Sequence, residues 1–425
     1  MKKKLIFAAA AIAMLASCSQ NDLEAPVVGQ AQQSDAIEFG TYIGKAATSR
    51  GADPTSLTTA NLKSFGVFAF YSEGVSADGV LSNSDTPNFM FNQKVTGGTG
   101  NYTYSPVKYW PNQDGVATNG KEDHKDVLSF FAYAPYKDLN DGTDASTGTA
   151  NGIALEDEVT PTPNSYTNTT TYGTSKPKIY YKRNTTNYNG DIDLLWATPQ
   201  KNMVKQPIDG KVTFAFKHAM SKIAGKVNVR YLKDLVNAGG TTGDAVDATT
   251  TVKLKAVYIW AESDDASIVK SGWLSLEDGT WTGDAFYSEI DEYDDAVSAG
   301  FAVNKTGGSF AGLTGDVVTN ENQQLTDFTG FLMLPGNAKV VKIKARAIYD
   351  VETTDANLAG GKSTVENDIT NEISIAASTL TANKNYVINL VLGLTSIKLD
   401  ATVDDWTDST PATEGEVDLP KNVAP

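Results

Sequence analysis

Phe65-Gly66-Val67-Phe68-Ala69-Phe70-Tyr71 is apolar at nearly every position. A half-exposed strand would alternate with polar residues, so an unbroken run this short and aromatic predicts a strand buried on both faces. Val127-Leu128-Ser129-Phe130-Phe131-Ala132-Tyr133-Ala134 is a second such run, stopped by Pro135. Working outward, Val212 to Phe216, Ile223 to Val229, Val252 to Trp260, Val340 to Tyr349 and Ile397 to Val403 alternate apolar with polar residues. Asp193 to Ala197 is a short strand ended by Pro199, and Tyr386 to Leu392 is another apolar run. Gly, Asn, Asp, Pro and Thr break the runs, and Asp278-Gly279 between Trp273–Leu276 and Trp281 is a hairpin signal. The fold class is all-β. The helical candidates, Thr55 to Leu62 and Leu232 to Ala238, are weak. The polar stretches Asp138–Lys176, Asn237–Thr250 and Asp350–Thr370 are longer than ordinary loops, so each is an exposed insertion or hides a short element.

The two halves share a rhythm. Leu128 to Pro135 is similar to Gly330 to Gly336, and each precedes an alternating strand, Lys211–Phe216 or Asn385–Leu392. A further alternating strand follows each, from Ile223 and from Ile397. Two sandwiches on one plan would explain this, although all β-sandwiches share the rhythm.

The chain has 425 residues, with 35 Lys+Arg against 51 Asp+Glu, a formal charge of −16. Nucleic acid and anionic membrane surfaces are poor partners for such a chain, because both are themselves negative. Charged residues are 20% and apolar ones 40%, enough to build cores. One cysteine, Cys18, rules out an intrachain disulfide, and only His124 and His218 are available to histidine chemistry.

Met1-Lys2-Lys3-Lys4 is a positive start, and Leu5 to Leu15 is an apolar run. That run suits a signal sequence and falls short of the ~20 residues that span a bilayer. It ends in Leu15-Ala16-Ser17-Cys18, which resembles a bacterial lipobox, with Cys18 as the lipidated first residue of the mature chain. Ser19 to Ser34 reads as a polar tether.

Several segments taken together point further. They are the lipobox; a strand followed by Thr48-Ser49-Arg50-Gly51; Leu62 to Phe70; Tyr109-Trp110-Pro111 with Leu128 to Pro135; Phe216 to Ile223; and Asn385 to Leu390 with Val403-Asp404-Asp405-Trp406. In order and spacing the chain resembles the Bacteroidales fimbrillin family, the type V pilins and Mfa-like fimbrillins. The resemblance implies two tandem transthyretin-like Greek-key sandwiches, export to the outer membrane as a lipoprotein, and assembly into an extracellular fimbrium by strand exchange. The division that follows is 1–17 signal peptide, 18–50 tether and removable strand, 51–219 first sandwich, and 220–425 second sandwich with a donor tail.

The implied chemistry has three parts. A plug strand, Ile37, Phe39 and Ile43, fills a groove until a trypsin-like protease cuts between Arg50 and Gly51, with Lys45 a rival site. The alternative is that this strand is permanent and Arg50 a solvated loop residue. A donor segment from another pilin subunit then fills the vacated groove, by main-chain pairing and alternate side chains in pockets. Its candidates are Ile397, Leu399, Val403 and Trp406, or Val417 and Leu419 in the tail, and the residues leave that choice open. The partners are thus other pilin subunits, the protease, the membrane through the lipid, and a host or bacterial surface ligand. Shaft, tip and anchor positions all remain open.

Enzyme chemistry has no foothold. Gly-x-Ser-x-Gly, a phosphate loop and zinc spacing are absent from the sequence, and no cofactor or metal is expected. The run Glu289 to Asp295 reads as solvated charge, since it lacks a calcium-loop spacing. His218 reads as a packed residue. The six tryptophans, Trp110, Trp196, Trp260, Trp273, Trp281 and Trp406, support a second reading, a glycan-binding surface lipoprotein, although most lie in strand patterns.

Overall fold

The computed structural model describes residues 36–43, 62–76, 88–98, 101–111, 124–137, 152–154, 177–183, 192–205, 211–231, 248–262, 268–286, 303–306, 309–328, 330–335, 341–375, 380–393, 397–405, 412–413 and 416–417. Every regular element among them is a strand. The first half contains β1 (Glu38–Ile43), β2 (Ser64–Ser76), β3 (Met90–Gly98), β4 (Asn101–Thr103), β5 (His124–Ala134), β6 (Gly152–Ala154), β7 (Lys178–Lys182), β8 (Leu195–Ala197), β9 (Gln200–Met203) and β10 (Lys211–His218). Next come β11 (Ser221–Tyr231), β12 (Thr250–Glu262), β13 (Val269–Ser275), β14 (Trp281–Phe286), β15 (Val303–Thr306), β16 (Val317–Val318), β17 (Gln323–Leu325) and β18 (Phe331–Met333). The last are β19 (Val341–Thr354), β20 (Lys362–Ile375), β21 (Lys384–Leu392), β22 (Ile397–Asp405), β23 (Ala412–Thr413) and β24 (Glu416–Val417).

The apolar run in β2 is explained by what lies on either side of it. Its sheet has the order β1-β10-β8-β5-β2-β3-β4, with β9 also on β5. Phe65, Val67 and Ala69 face one core with Phe130, Phe214 and Phe39. Phe68 and Phe70 face a second core, with Tyr181 of β7, Leu274 of β13 and Trp281 of β14. Both faces are covered, so neither has a place for a polar residue. Gly66 is needed here because a Cβ would lie 2.3 Å from the Tyr133 ring, whose hydroxyl donates to Asn92 Oδ1 at 2.7 Å.

The second core is shared by distant parts of the chain. β13 pairs antiparallel with β7, Trp273 opposite Tyr180, in the sheet β14-β13-β7-β6. Residues beyond 219 therefore complete a layer on the first half, and Leu332 and Leu334 pack into the same core. From Asp35 onward the chain is one compact unit. The Asp278-Gly279 hairpin forms as its sequence predicts: Gly279 has φ of 74°, and a Cβ there would strike the Trp196 indole.

A third core lies between the sheets β17-β11-β21-β22 and β15-β12-β19-β20. The polar stretch Asp350–Thr370 contains the outer halves of β19 and β20, a long hairpin paired from Val341↔Ile375 to Thr354↔Lys362. Tyr349 sits fully buried in this core and donates to the Gly393 carbonyl at 2.6 Å.

Burial pushes the Tyr349 phenol up to about 12 from its ordinary 10.0. A raised pKa in the folded state means that this contribution to stability is intact below pH 10 and is lost as pH rises through about 12. Tyr349→Phe strands the carbonyl and should cost ~1–3 kcal/mol at neutral pH in denaturant melts. The gap between parent and variant should narrow above pH 10, where only the parent must ionise a buried phenol; a constant gap would show that the phenol is not buried as described.

Candidate functional site: the seat of the first strand

β1 ends the large sheet and lies parallel to β10, in register from Glu38↔Lys211 to Ile43↔Phe216. Alternation sets its faces: Ile37 and Phe39 are 1% exposed, while Glu38 between them points to solvent. Phe39 is held by rings on several sides. It stacks on Phe214 at 5.8 Å, meets Phe65 and Phe130 edge-on at 6.2 and 6.0 Å, and lies 5.2 Å from Tyr104. Edge-on and offset rings of this kind add to the apolar burial itself.

The far edge of β1 is also occupied. The Ile37 amide donates to the Lys108 carbonyl at 2.9 Å, Ala36 bridges Tyr109, and the Tyr104 hydroxyl donates to the Ile37 carbonyl at 2.9 Å. Thr41 Oγ1 lies 2.8 Å from the Tyr102 hydroxyl, which donates to the Leu62 carbonyl at 3.3 Å. Burial raises both phenols above the ordinary tyrosine range, so both stay neutral at physiological pH. The sheet thus curls until the segment after β4 meets β1, and Ile37 and Phe39 close its interior. Tyr102 and Tyr104 are wall residues that the sequence reading missed, although their spacing of two is a strand signal.

The expected site residues are not all brought together. Ile43 pairs with Phe216 through its backbone. Ile397 and Leu399, each 5% exposed, lie in the third core, and β22 pairs with β21 along its full length, Leu392↔Ile397 to Lys384↔Asp405. Val403 is 53% exposed. Val417 pairs with Ala412 in the short β23–β24 hairpin. Cys18, Arg50, Gly51, Trp406 and Leu419 lie outside the described residues, as do Lys45 and the Glu289–Asp295 run.

Other candidates resolve into structure. His218 is buried, with Nδ1 2.6 Å from Asp193 Oδ2. Trp110, Trp260 and Trp281 are buried, Trp281 donating to the Ala219 carbonyl at 2.7 Å, and Trp196 and Trp273 are half-buried. None of these five offers an exposed ring as a platform. Among the described residues no His, Cys, Asp and Glu group is arranged to hold a metal ion, and no helix is long and apolar enough to cross a membrane.

The sequence profile of a family described as fimbrillin-like matches residues 49–406. The fimbrium subunit Fim1C of Phocaeicola vulgatus is 23% identical, the alignment covering 96% of this chain and 97% of that one. The crystal structure of a fimbrial protein from Bacteroides vulgatus is similar with a TM-score of 0.57 at 19% identity, covering 87% of this chain and 99% of that one, a likeness of fold.

Phe39→Ala should leave a hole among four rings and destabilise the protein by ~3–5 kcal/mol in denaturant melts. Glu38→Ala, which removes only an exposed pairing with Lys211 at 3.9 Å, should leave the midpoint unchanged. Equal effects would mean that β1 is not seated as described.

Proposed function

The chain belongs to the fimbrillin-like family, and we propose that it is a structural subunit of a cell-surface fimbrium whose β1 is a removable plug. The observation that carries the reading is the seat itself. Ile37 and Phe39 are buried, β1 is paired to β10, and the chain joins it to the rest of the sheet through residues 44–61, which contain Arg50 and Gly51. A cut there by a trypsin-like protease frees β1 and the lipid-bearing Cys18 together. It opens an apolar groove walled by Phe65, Phe130 and Phe214, with the β10 edge unpaired. Exposed edges of this kind are paired by another chain.

On this reading the precursor is held at the outer membrane through Cys18, and the processed subunit joins other pilin subunits in an extracellular fimbrium that mediates adhesion. The two halves of the chain then serve different ends: the first presents the groove and the second the donor. β22 supplies Ile397 and Leu399 to its own core, so the donor is assigned to the tail after Trp406, with Val417 and Leu419 as its apolar teeth.

Trace trypsin on the purified precursor should give a new terminus at Gly51, read by N-terminal sequencing, followed by filaments in negative-stain electron microscopy. A chain ending at Trp406 should be cleaved and folded but form no filaments. Cleavage at Lys45 alone, or normal filaments from the truncated chain, would overturn the Arg50 or tail assignment respectively. Cys18→Ala should abolish outer-membrane fractionation of the precursor; unchanged fractionation would exclude the lipid route.

A further inference from the structure

The outer face of the sheet β17-β11-β21-β22 carries a cleft of about 380 Å3, within the size range of small-molecule sites. Register builds it. Asn228 lies beside Asn389, which lies beside Asp400, one polar row across three strands. Arg230 beside Val391 forms the next row, and Thr402 and Asn322 complete the rim. The Asn228 amide donates to Asn389 Oδ1 at 2.9 Å, which leaves the Asn389 amide nitrogen to donate and the Asn228 oxygen to accept.

Two charges at this cleft are treated unlike others on the strands. Arg346 clasps Asp368, Lys384 pairs with Asp405 at 2.6 Å, and Lys253 pairs with Glu352 at 2.8 Å. Among the described residues Arg230 and Asp400 have no ion-pair partner, and Asp400 is engaged only by the neighbouring Ala401 amide. A half-buried guanidinium and a carboxylate thus line the same cleft with donors and acceptors to spare. Val391 is the one apolar lining residue, too little for a lipid or an aromatic side chain.

We propose that this cleft binds a neutral pyranose unit of a glycan, with Arg230, Asn389 and Asp400 as recognition residues. Each sugar hydroxyl both donates and accepts, so neighbouring hydroxyls match an alternation of amide, carboxylate and guanidinium. The charges of Arg230 and Asp400 cancel locally in a chain of −16, which disfavours phosphates and acidic sugars. An open cleft without an aromatic platform binds one sugar weakly. Where the fimbrial reading holds, repetition along a filament turns weak sites into strong attachment. Binding by the monomer does not depend on that reading.

Saturation-transfer NMR on the full-length monomer tests it, with methyl β-D-galactopyranoside, methyl α-D-mannopyranoside and N-acetyl-D-glucosamine as probes. At least one should receive saturation. Arg230→Gln, which removes the guanidinium and shortens the side chain, and Asp400→Asn, which is near-isosteric, should each weaken that binding by about tenfold or more, the effect of losing a charge-assisted hydrogen bond. Lys226→Ala, on the same face outside the cleft, should not change it, and thermal melts of all variants establish that they are folded. The proposal fails if none of the three sugars receives saturation, if binding survives both cleft variants, or if D-galacturonic acid binds better than every neutral probe.

Discussion

The seat of Phe39 constrains the first half of the molecule. Four aromatic neighbours converge on one side chain that belongs to a six-residue strand at the end of the sheet. Without that side chain the interior walled by Phe65, Phe130 and Phe214 would face water. Full burial of one large apolar side chain is worth ~1.5–3 kcal/mol, and edge pairing adds about one per hydrogen bond. Such a strand stays in place while tethered, but its contribution is small beside the conformational freedom it would gain once cut loose. On the proposed route the molecule is built around this asymmetry: stable before a cut, open to replacement after it.

The second half uses the same element differently. β21 is flanked by β11 in parallel and β22 antiparallel, just as β10 is flanked by β1 in parallel and β8 antiparallel. β11 therefore stands where β1 stands, but it is continuous with β10 through Ala219 and Met220, which are themselves buried in the shared second core. β11 is tied in at both ends, whereas β1 hangs on one connection. The sequence rhythm sets β11 against β22, whereas the pairings set β11 against β1 and β22 against β8; the difference in tethering is what makes one first strand a candidate for removal and the other not.

How much of this was legible follows from where the signals are stored. Phe65–Tyr71 and Leu128–Ala134 declared their two-sided burial because both neighbouring cores press on them, and the β13–β14 hairpin was announced by Asp278-Gly279. The pairing of β13 with β7 was not legible, because register between distant strands leaves no local mark. The β19–β20 hairpin hid within Asp350–Thr370 for a different reason. Its outer half is exposed, so the alternation that marks a half-buried strand is missing, and cross-strand pairs such as Lys362–Glu352 and Arg346–Asp368 take its place. At the seat, Ile37 and Phe39 were legible by alternation. Their walls come from four segments far apart in the chain and were not.

The placement of β22 bears on what drives assembly. With Ile397 and Leu399 committed to the third core, the proposed tail has Val417 and Leu419 to set against the buried Ile37 and Phe39. Counting apolar surface at ~25 cal/mol per Å2, a Val and a Leu bury less than an Ile and a Phe in the same groove. A tail in solution would therefore not displace a tethered β1, whose effective concentration at its own seat is high. On the proposed route the balance changes only when the tether is cut. Released β1 would then compete at its bulk concentration, while each processed subunit would present both a groove and a tail. The proposed proteolytic step would thus supply direction by removing the tethered competitor rather than by strengthening the donor. That is why a donor poorer in apolar residues than the strand it replaces is consistent with an assembly that waits for its protease.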